Sequence, residues 1–224
     1  CASYLCYSLF SEQSDLKSLD WLVALASLAD WLYLKNTSWL GQIYEKYGEK
    51  LDLKEIQKGR FWESVLTLSD FLIYFKDSPK KAYDLIDSKN FDLKQTEPYV
   101  LKVRKDLEKN LELFQEQKEI IPGGFFYEMQ SSYDLNSRFA SLVSGKNPSQ
   151  VYIISTKNKN LYRISARRSD GKQNMSELVK YLTEDLTLIN AGGHLAAAGC
   201  NVLDIDYAKF KQKLKDIPEQ LFKV

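Results

Sequence analysis

The sequence is poor in the residue types that most often build metal sites and disulfide frameworks. Its 224 residues include one histidine, His194, and three cysteines, which are Cys1, Cys6 and Cys200. An odd number of cysteines without metal-type spacing argues against a disulfide framework and favours a reducing compartment. We therefore expect a cytoplasmic protein.

Long apolar runs and a net charge of one sign are missing as well. The longest apolar run, residues 22–28, is far shorter than the roughly 20 residues that span a bilayer. No basic segment leads into an apolar one at the start, so we expect neither a signal peptide nor a membrane partner. With 31 basic and 30 acidic residues, the chain has no overall basic field, and a grip on nucleic acid would need a local patch.

The apolar content is nevertheless sufficient for a folded core. Hydrophobic residues make up 44% of the chain and charged residues 27%, which is ordinary for a globular protein and excludes wholesale disorder. Before Pro122, apolar residues recur at helical spacing over residues 19–34, 61–75 and 99–114. After Pro122, short strand-like runs alternate with helices. The pattern therefore predicts a mixed α/β fold with a helical first part.

Basic residues concentrate on one predicted hairpin in the second part. Residues 151–156 form a β-branched run and residues 161–167 alternate, so the segment 157–160 predicts the turn between two strands. The basic residues there, opposed in the sequence only by Asp170, are Lys157, Lys159, Arg163, Arg167, Arg168 and Lys172. This cluster indicates an anionic ligand. The alternative is a solvated strand edge that its charge protects from aggregation.

The only histidine lies in an unusual small-residue segment, Asn-Ala-Gly-Gly-His-Leu-Ala-Ala-Ala-Gly, at residues 190–199. Gly192 and Gly193 permit close backbone approach by a ligand, and N–H groups in such a turn form anion-binding nests. The small residues that follow permit tight packing or the start of a helix that faces the same anion. His194 adds a hydrogen-bond donor for a phosphate. The alternative is a tight glycine turn with a structural histidine.

The stretch Gly-Gly-His-Leu-Ala-Ala-Ala-Gly at 192–199 resembles the Gly-Gly-His-x-x-Ala-Ala-Gly signature of the DHH-associated C-terminal domain of DHH-family phosphoesterases. This family includes RecJ-like exonucleases and oligoribonucleases. Ser165-Ala166-Arg167 lies where the family has a strand that ends in Ser-x-Arg, and the resemblance covers about residues 125–215. Ala191 stands where the family often has a third glycine, which is a mild departure.

The first part of the chain is similar to the same family. Residues 1–5 resemble the small-residue helix near the end of the DHH domain, and Leu-Ala-Ser-Leu-Ala-Asp at 25–30 resembles the helix that carries a metal-binding aspartate. The resemblance implies that Asp30 is a metal ligand, and the alternative is an ordinary helix-end residue.

The resemblance implies three domains. Residues 1–35 would be the C-terminal end of a Rossmann-like DHH domain, residues 36–121 a helical connector, and residues 122–224 an α+β substrate-binding domain with a mixed sheet.

The activity implied by the resemblance is metal-dependent phosphodiester hydrolysis of single-stranded DNA or RNA or of short oligonucleotides, with two Mn²⁺ or Mg²⁺ ions. His194 and Arg167 would be catalytic. The residues that would bind the substrate, by the same resemblance, are Gly192, Gly193, His194, Ser165, Arg167 and Arg168.

The metal site implied by the resemblance is incomplete in this sequence. The family's Asp-x-Asp and Asp-His-His segments do not precede Asp30 here, and the first residue is Cys1 rather than Met. We therefore expect a fragment that is inactive alone. Its other ligands would come from an upstream DHH segment of the same protein or from a partner chain, because one aspartate cannot hold two ions.

Alternative functions remain open at this point. Some DHH-like proteins are non-catalytic scaffolds, so the runner-up is a scaffold subunit that binds a protein of a replication or repair complex. Alanyl-tRNA synthetases carry a related C-terminal domain, but one histidine cannot supply the His-x-x-x-His motif of an editing domain. Inorganic pyrophosphatases of the superfamily use a different C-terminal domain. Neither of these last two functions is favoured.

Overall fold

The structure, a computed structural model, describes residues 1–86, 90–218 and 221. Its internal contacts divide the chain into two compact units, Cys1–Arg104 and Lys105–Val224. The boundary lies inside a long helix rather than at Pro122, where the sequence pattern changes. The division into segments 1–35, 36–121 and 122–224 stays a prediction. No helix within the described ranges is long and apolar enough to cross a membrane.

The first unit is helical. Its helices are α1 (Ala2–Phe10), α2 (Asp20–Ala29), α3 (Thr37–Lys46), α4 (Gly59–Tyr74) and α5 (Pro79–Leu85), followed by the start of α6 (Glu97–Gln117). Short 3-10 helices lie at Lys17–Leu19, Leu32–Leu34 and Lys94–Thr96. The helical spacing seen in the sequence is thus confirmed for α2, α4 and α6. The first predicted helix was too long, because the backbone turns left-handed at Trp31, directly after α2.

The core of the first unit is built from aromatic rings and includes an ion pair with a buried aspartate. The Tyr44 and Phe61 rings stack with their centres 4.0 Å apart, and Trp21 stacks on Phe91 at 5.1 Å. Asp70 of α4 is fully buried, and Arg104 Nε lies 3.0 Å from its Oδ2. Aromatic burial of this kind supplies much of the apolar area that a small unit needs.

The second unit is organised around one mixed sheet. Its strands are β1 (Glu119–Ile121), β2 (Gly124–Glu128), β3 (Val151–Asn158), β4 (Leu161–Arg167), β5 (Leu188–His194) and β6 (Ala197–Leu203). The order across the sheet is β1-β2-β3-β4-β6-β5. Only the pair β2 and β3 is parallel, and every other described pair is antiparallel. A mixed α/β fold is therefore confirmed.

Helices cover the two faces of this sheet unequally. α8 (Met175–Thr183) and α9 (Tyr207–Lys215) pack on one face, where they bury Ile164 and Val202. α7 (Asn136–Lys146) packs on the other face over β3 and β4. The Asn174 side chain caps α8 by accepting from the backbone N–H groups of Ser176 and Glu177. A 3-10 helix, Asp204–Asp206, leads into α9.

The Gly-Gly-His segment differs from its predicted form. It is not a loop, and no helix begins after it. Gly192, Gly193 and His194 end strand β5, and the chain turns at Leu195 and Ala196 into strand β6. The expected nest of turn N–H groups is therefore wrong. Pairing with β6 overrides the turn tendency of the glycines, since strand formation depends strongly on tertiary context.

Candidate functional site

The register of three neighbouring strands brings four of the predicted site residues to one face of the sheet, namely Ser165, Arg167, Gly192 and His194. Side chains alternate between the two faces of a strand, so Ser165 and Arg167 share a face that Ile164 does not. Ser165 pairs with Gly199, which pairs with Gly192. Arg167 pairs with Ala197, which pairs with His194. Two rows of site residues thus run side by side across β4, β6 and β5.

An open groove of about 480 Å³ lies over this face, beside the N-terminal end of α7. Its lining includes Ser165, Gly192 and Gly199 from the sheet. The polar side chains that also line it are Asp134, Asn136, Ser137, Arg163, Asn190 and Asn201. The N-terminus of a helix favours a negative charge nearby, so α7 adds to the attraction for an anion.

Arg167 is held at the edge of the groove by neutral partners. Its Nη2 donates to Ser137 Oγ at 2.7 Å, and its Nη1 donates to the backbone oxygen of Ala166 at 3.3 Å. Burial lowers the pKa of its guanidinium from the ordinary value, although an arginine stays charged at neutral pH. Within the part of the chain that the structure describes, Arg167 has no acidic partner. Its charge is available for an anion.

His194 is exposed at the end of β5, in the same row as Arg167. The described residues give its ring no hydrogen-bond partner, so both ring nitrogens face solvent or a ligand. A protonated imidazole donates through both nitrogens. Arg167 and His194 thus stand on the same face of the sheet, in one row, with β6 between their strands.

The three glycines of β5 and β6 have different structural roles, and Gly193 belongs to the opposite face from Gly192 and Gly199. A Cβ on Gly193 would lie 2.3 Å from Ala198 Cα, and a Cβ on Gly199 would lie 2.8 Å from the Ile164 carbonyl oxygen. Both positions therefore need glycine for packing. A Cβ on Gly192 would meet nothing within 4 Å. Packing therefore does not require glycine at position 192. The absence of a side chain there leaves the groove open at this point.

These residues lie in a segment that a known family model matches. The model described as "DHHA1 domain" matches residues 131–222. The match covers less than half of the chain, so it shows a similarity of this segment to the DHHA1 domain. The resemblance of this segment to the DHH-associated C-terminal domain is thus confirmed, and every residue that lines the groove lies within the matched segment.

Solved structures with a similar fold include a phosphodiesterase and two RecJ proteins. The pGpG-specific phosphodiesterase PggH from Vibrio cholerae is 14% identical with a TM-score of 0.51, covering 81% of this chain and 73% of its own. RecJ from Thermus thermophilus, in complex with Mg²⁺, is 15% identical with a TM-score of 0.59, covering 89% and 34%.

The second RecJ structure and the curated proteins complete the comparison. The exonuclease RecJ bound to manganese is 15% identical with a TM-score of 0.56, covering 100% of this chain and 62% of its own. The chain thus spans about one third to two thirds of the RecJ chains it matches. A search of curated proteins finds no match. These likenesses show a shared fold alone, because the identities are only 14–15%.

The basic cluster of the predicted hairpin is only partly available to a ligand. In the sequence only Asp170 opposes this cluster, whereas the fold brings two further acids to it. Lys157 Nζ lies 2.9 Å from Asp204 Oδ1, and Arg163 forms an ion pair with Asp134. These acids are distant from the hairpin in the sequence, so no local pattern reveals the pairing.

Arg168 forms part of the structure of the turn that follows β4. Its Nε and Nη2 donate to the two carboxylate oxygens of Asp170 at 2.8 and 3.1 Å, and its Nη1 donates to Gln173. Hydrogen bonding to Arg168 holds the pKa of the Asp170 carboxyl below its ordinary value. Arg168 therefore differs from Arg167, and substrate binding by Arg168 stays a prediction that this geometry disfavours.

Asp30 lies in the helical unit, directly after α2, and its side chain is exposed. No group of three or more His, Cys, Asp or Glu side chains that could hold a metal ion occurs among the described residues. The residues present therefore do not fit a two-metal centre by themselves. The role of Asp30 as a metal ligand stays a prediction.

Several groove residues escaped the sequence analysis. Asn190 and Asn201 form a cross-strand pair, and Asn136 of α7 donates to the Arg163 backbone oxygen at 2.6 Å. For Asn201, alternation with the buried residues of β6 was the available signal. It could be read only once the Gly-Gly-His segment was known to be a strand.

Proposed function

We propose that this chain supplies the substrate-phosphate-binding domain of a DHH-family phosphodiesterase that hydrolyses single-stranded nucleic acid or short oligonucleotides, as a RecJ-like exonuclease does. One observation carries the proposal. Arg167 and His194 come from different strands to one row of an open face, beside Ser165 and Gly192 in the next row. A phosphodiester suits this face. Arg167 offers a cation without an acidic partner among the described residues, and the exposed His194 imidazole stands beside the bare backbone of Gly192.

The chemistry of this row is phosphate binding and orientation. Arg167 donates in a fixed fork that matches two phosphate oxygens, a geometry that lysine cannot reproduce. His194 donates from β5 to the same phosphate, and the Ser165 hydroxyl adds a contact in the next row. Partial burial of Arg167 strengthens its attraction for an anion because fewer water molecules compete.

The hydrolytic step needs more than the described residues offer. We propose that Asp30 contributes one ligand to a site for two divalent ions, Mn²⁺ or Mg²⁺, and that an upstream DHH segment or a partner chain contributes the others. The RecJ structures with Mg²⁺ and with manganese support divalent-metal use in proteins of this fold. In this proposal the protein acts in the cytoplasm and the chain alone binds substrate without cleaving it.

Binding is tested with the chain as it stands. A fluorescent 5′-phosphorylated trinucleotide is titrated with the wild type, Arg167→Ala, Arg167→Lys and His194→Ala by fluorescence anisotropy. We expect Arg167→Ala to weaken binding about tenfold or more, since a hydrogen bond to a charged group contributes ~1.5–3 kcal/mol. Lys180→Ala is the matched control, because it removes an exposed charge from α8 on the other face. Equal binding by Arg167→Ala and Lys180→Ala would refute the proposal.

Hydrolysis is tested in the natural protein with any upstream segment that it carries. With Mn²⁺ or Mg²⁺ present, we expect cleavage of short oligonucleotides that Arg167→Ala and His194→Ala strongly reduce without unfolding the protein. Binding without any cleavage would favour the non-catalytic scaffold, whose partner would be a protein of a replication or repair complex.

A further inference from the structure

The two ends of the groove differ in charge. One end is bordered by Arg167 and His194, which stand one row beyond its lining residues, and Arg167 has no acidic partner among the described residues. The other end is formed by the row Arg163, Asn201 and Asn190, together with Asp134. There Arg163 is neutralised by its ion pair with Asp134.

The neutral end is lined by a pair of amides. Asn201 Nδ2 donates to Asn190 Oδ1 at 2.8 Å across the paired strands β6 and β5. This bond uses one donor of Asn201 and one acceptor site of Asn190. Both N–H groups of the Asn190 amide and the carbonyl oxygen of the Asn201 amide remain for a ligand. A neighbouring donor and acceptor without net charge suit a neutral polar group, not a second phosphate.

The distance between the two ends fits one nucleotide. Arg163 and Arg167 are four residues apart on β4, which corresponds to about 13 Å along an extended strand. Between them lies the row of Ser165, Gly199 and Gly192, where the glycines present bare backbone to the groove. A sugar can lie over this row with its phosphate at one end and its base at the other.

We propose that the Asn190–Asn201 pair recognises the polar edge of a nucleobase whose phosphate lies at Arg167 and His194. The inference rests on the proposed function, and it adds a direction to the groove: phosphate at the Arg167 end, base at the Asn201 end. The competing explanation is a pair that only shields the edge strand β5. The two explanations differ in which ligands respond to loss of the pair.

The test compares two phosphate compounds on the same variant. A nucleoside 5′-monophosphate and ribose 5-phosphate, which lacks the base, compete with the fluorescent trinucleotide for the wild type and for Asn190→Ala/Asn201→Ala. We expect the double variant to bind the nucleotide about tenfold more weakly, from the loss of two hydrogen bonds. We expect its affinity for ribose 5-phosphate to change less than about twofold, because no contact to the sugar or phosphate is removed. The control is Asn158→Ala, which removes another exposed strand asparagine.

The remaining outcomes each decide the question. Equal losses for both compounds would overturn the inference, because the pair would then serve the sugar, the phosphate or the local fold. Unchanged nucleotide binding would overturn it as well. In either case a loss of both compounds in Arg167→Ala would leave the proposed function standing. If Arg167→Ala binds both compounds like the wild type, the proposed function fails and the inference fails with it.

Discussion

The two faces of the six-stranded sheet have opposite properties although they are built from alternating residues of the same strands. On one face, Tyr162, Ile164 and Ala166 of β4 are buried against α8 and α9. On the other face, Arg163, Ser165 and Arg167 line or border an open groove. Every second residue of β4 therefore packs in the core, and the residues between them face the groove.

The comparison extends to the glycines of β5. Gly193 is fixed by contact with β6, whereas the Gly192 position is sterically free. Two adjacent glycines of one motif are thus needed for different purposes. Gly193 permits strand packing, and Gly192 keeps the groove open. Substitutions on the two faces should therefore affect different measurements.

The largest effect is expected on the buried face. Phe210 of α9 is fully buried in the core of the second unit. Phe210→Ala should lower the free energy of unfolding by about 3–5 kcal/mol through lost burial and a cavity. Urea unfolding measures this change. Arg167→Ala on the groove face should change the free energy of unfolding by less than about 1 kcal/mol. A larger loss would show that the groove face also stabilises the fold.

The next effect separates the two neighbouring glycines. Gly193→Ala should cost about 1–3 kcal/mol or more, because its Cβ would overlap Ala198. Gly192→Ala should leave stability within about 1 kcal/mol of the wild type but weaken trinucleotide binding by placing a methyl group on the groove floor. Thermal unfolding and anisotropy on both variants check this. If both lose the same stability, the faces are wrongly assigned.

A smaller effect concerns Cys200, which is buried on the closed face. Burial raises the pKa of its thiol to about 12. The thiol ionises earlier in the unfolded chain, so its stabilising contribution is complete below about pH 9 and is lost as pH rises towards 12. The loss should reach roughly 1.5 kcal/mol by about pH 10, which is one unit above the pKa of the free thiol.

Unfolding of the wild type and Cys200→Ala at several alkaline pH values isolates this contribution. The difference between the two should shrink as pH rises, and a constant difference would contradict the assignment. Alkylation at about pH 8, near the pKa of a free thiol, offers a second measurement. Exposed Cys6 should react in the folded protein, whereas Cys200 should react only after unfolding.

The smallest effect on stability is expected at the hairpin turn between β3 and β4. Lys159 has a left-handed backbone with φ of 57°. Lys159→Gly should stabilise the protein by about 0.5–1 kcal/mol, because glycine adopts this conformation without steric cost. Asn160→Gly, at a neighbour outside the left-handed region, should not stabilise it. The two melting temperatures decide between these expectations.

Much of the fold could be predicted from local patterns. The alternation of residues 161–167 and the β-branched run before it located β4 and β3. The Gly-Gly-His segment was misassigned as a loop, because glycine is rare in strands and only pairing with β6 makes it one. Local patterns could not reveal that pairing.

The candidate site was predictable in part, from the motif and the resemblance it carries. The motif placed Ser165, Arg167 and His194 in one region, and the register then showed which of them share a face. The ion pairs of Arg163 with Asp134 and of Lys157 with Asp204 could not be foreseen, because each joins residues far apart in the sequence. The contrast between Arg167 and Arg168 likewise appeared only with their partners.

The most direct test of the central claim uses the single histidine. In an NMR spectrum its carbon-bound ring protons give signals that belong to His194 alone. We predict that these signals shift saturably when a 5′-phosphorylated trinucleotide is added, and that Arg167→Ala demands a much higher concentration for the same shift. Ring signals that stay in place while the trinucleotide binds would show that the phosphate does not lie at His194, and the account would be contradicted.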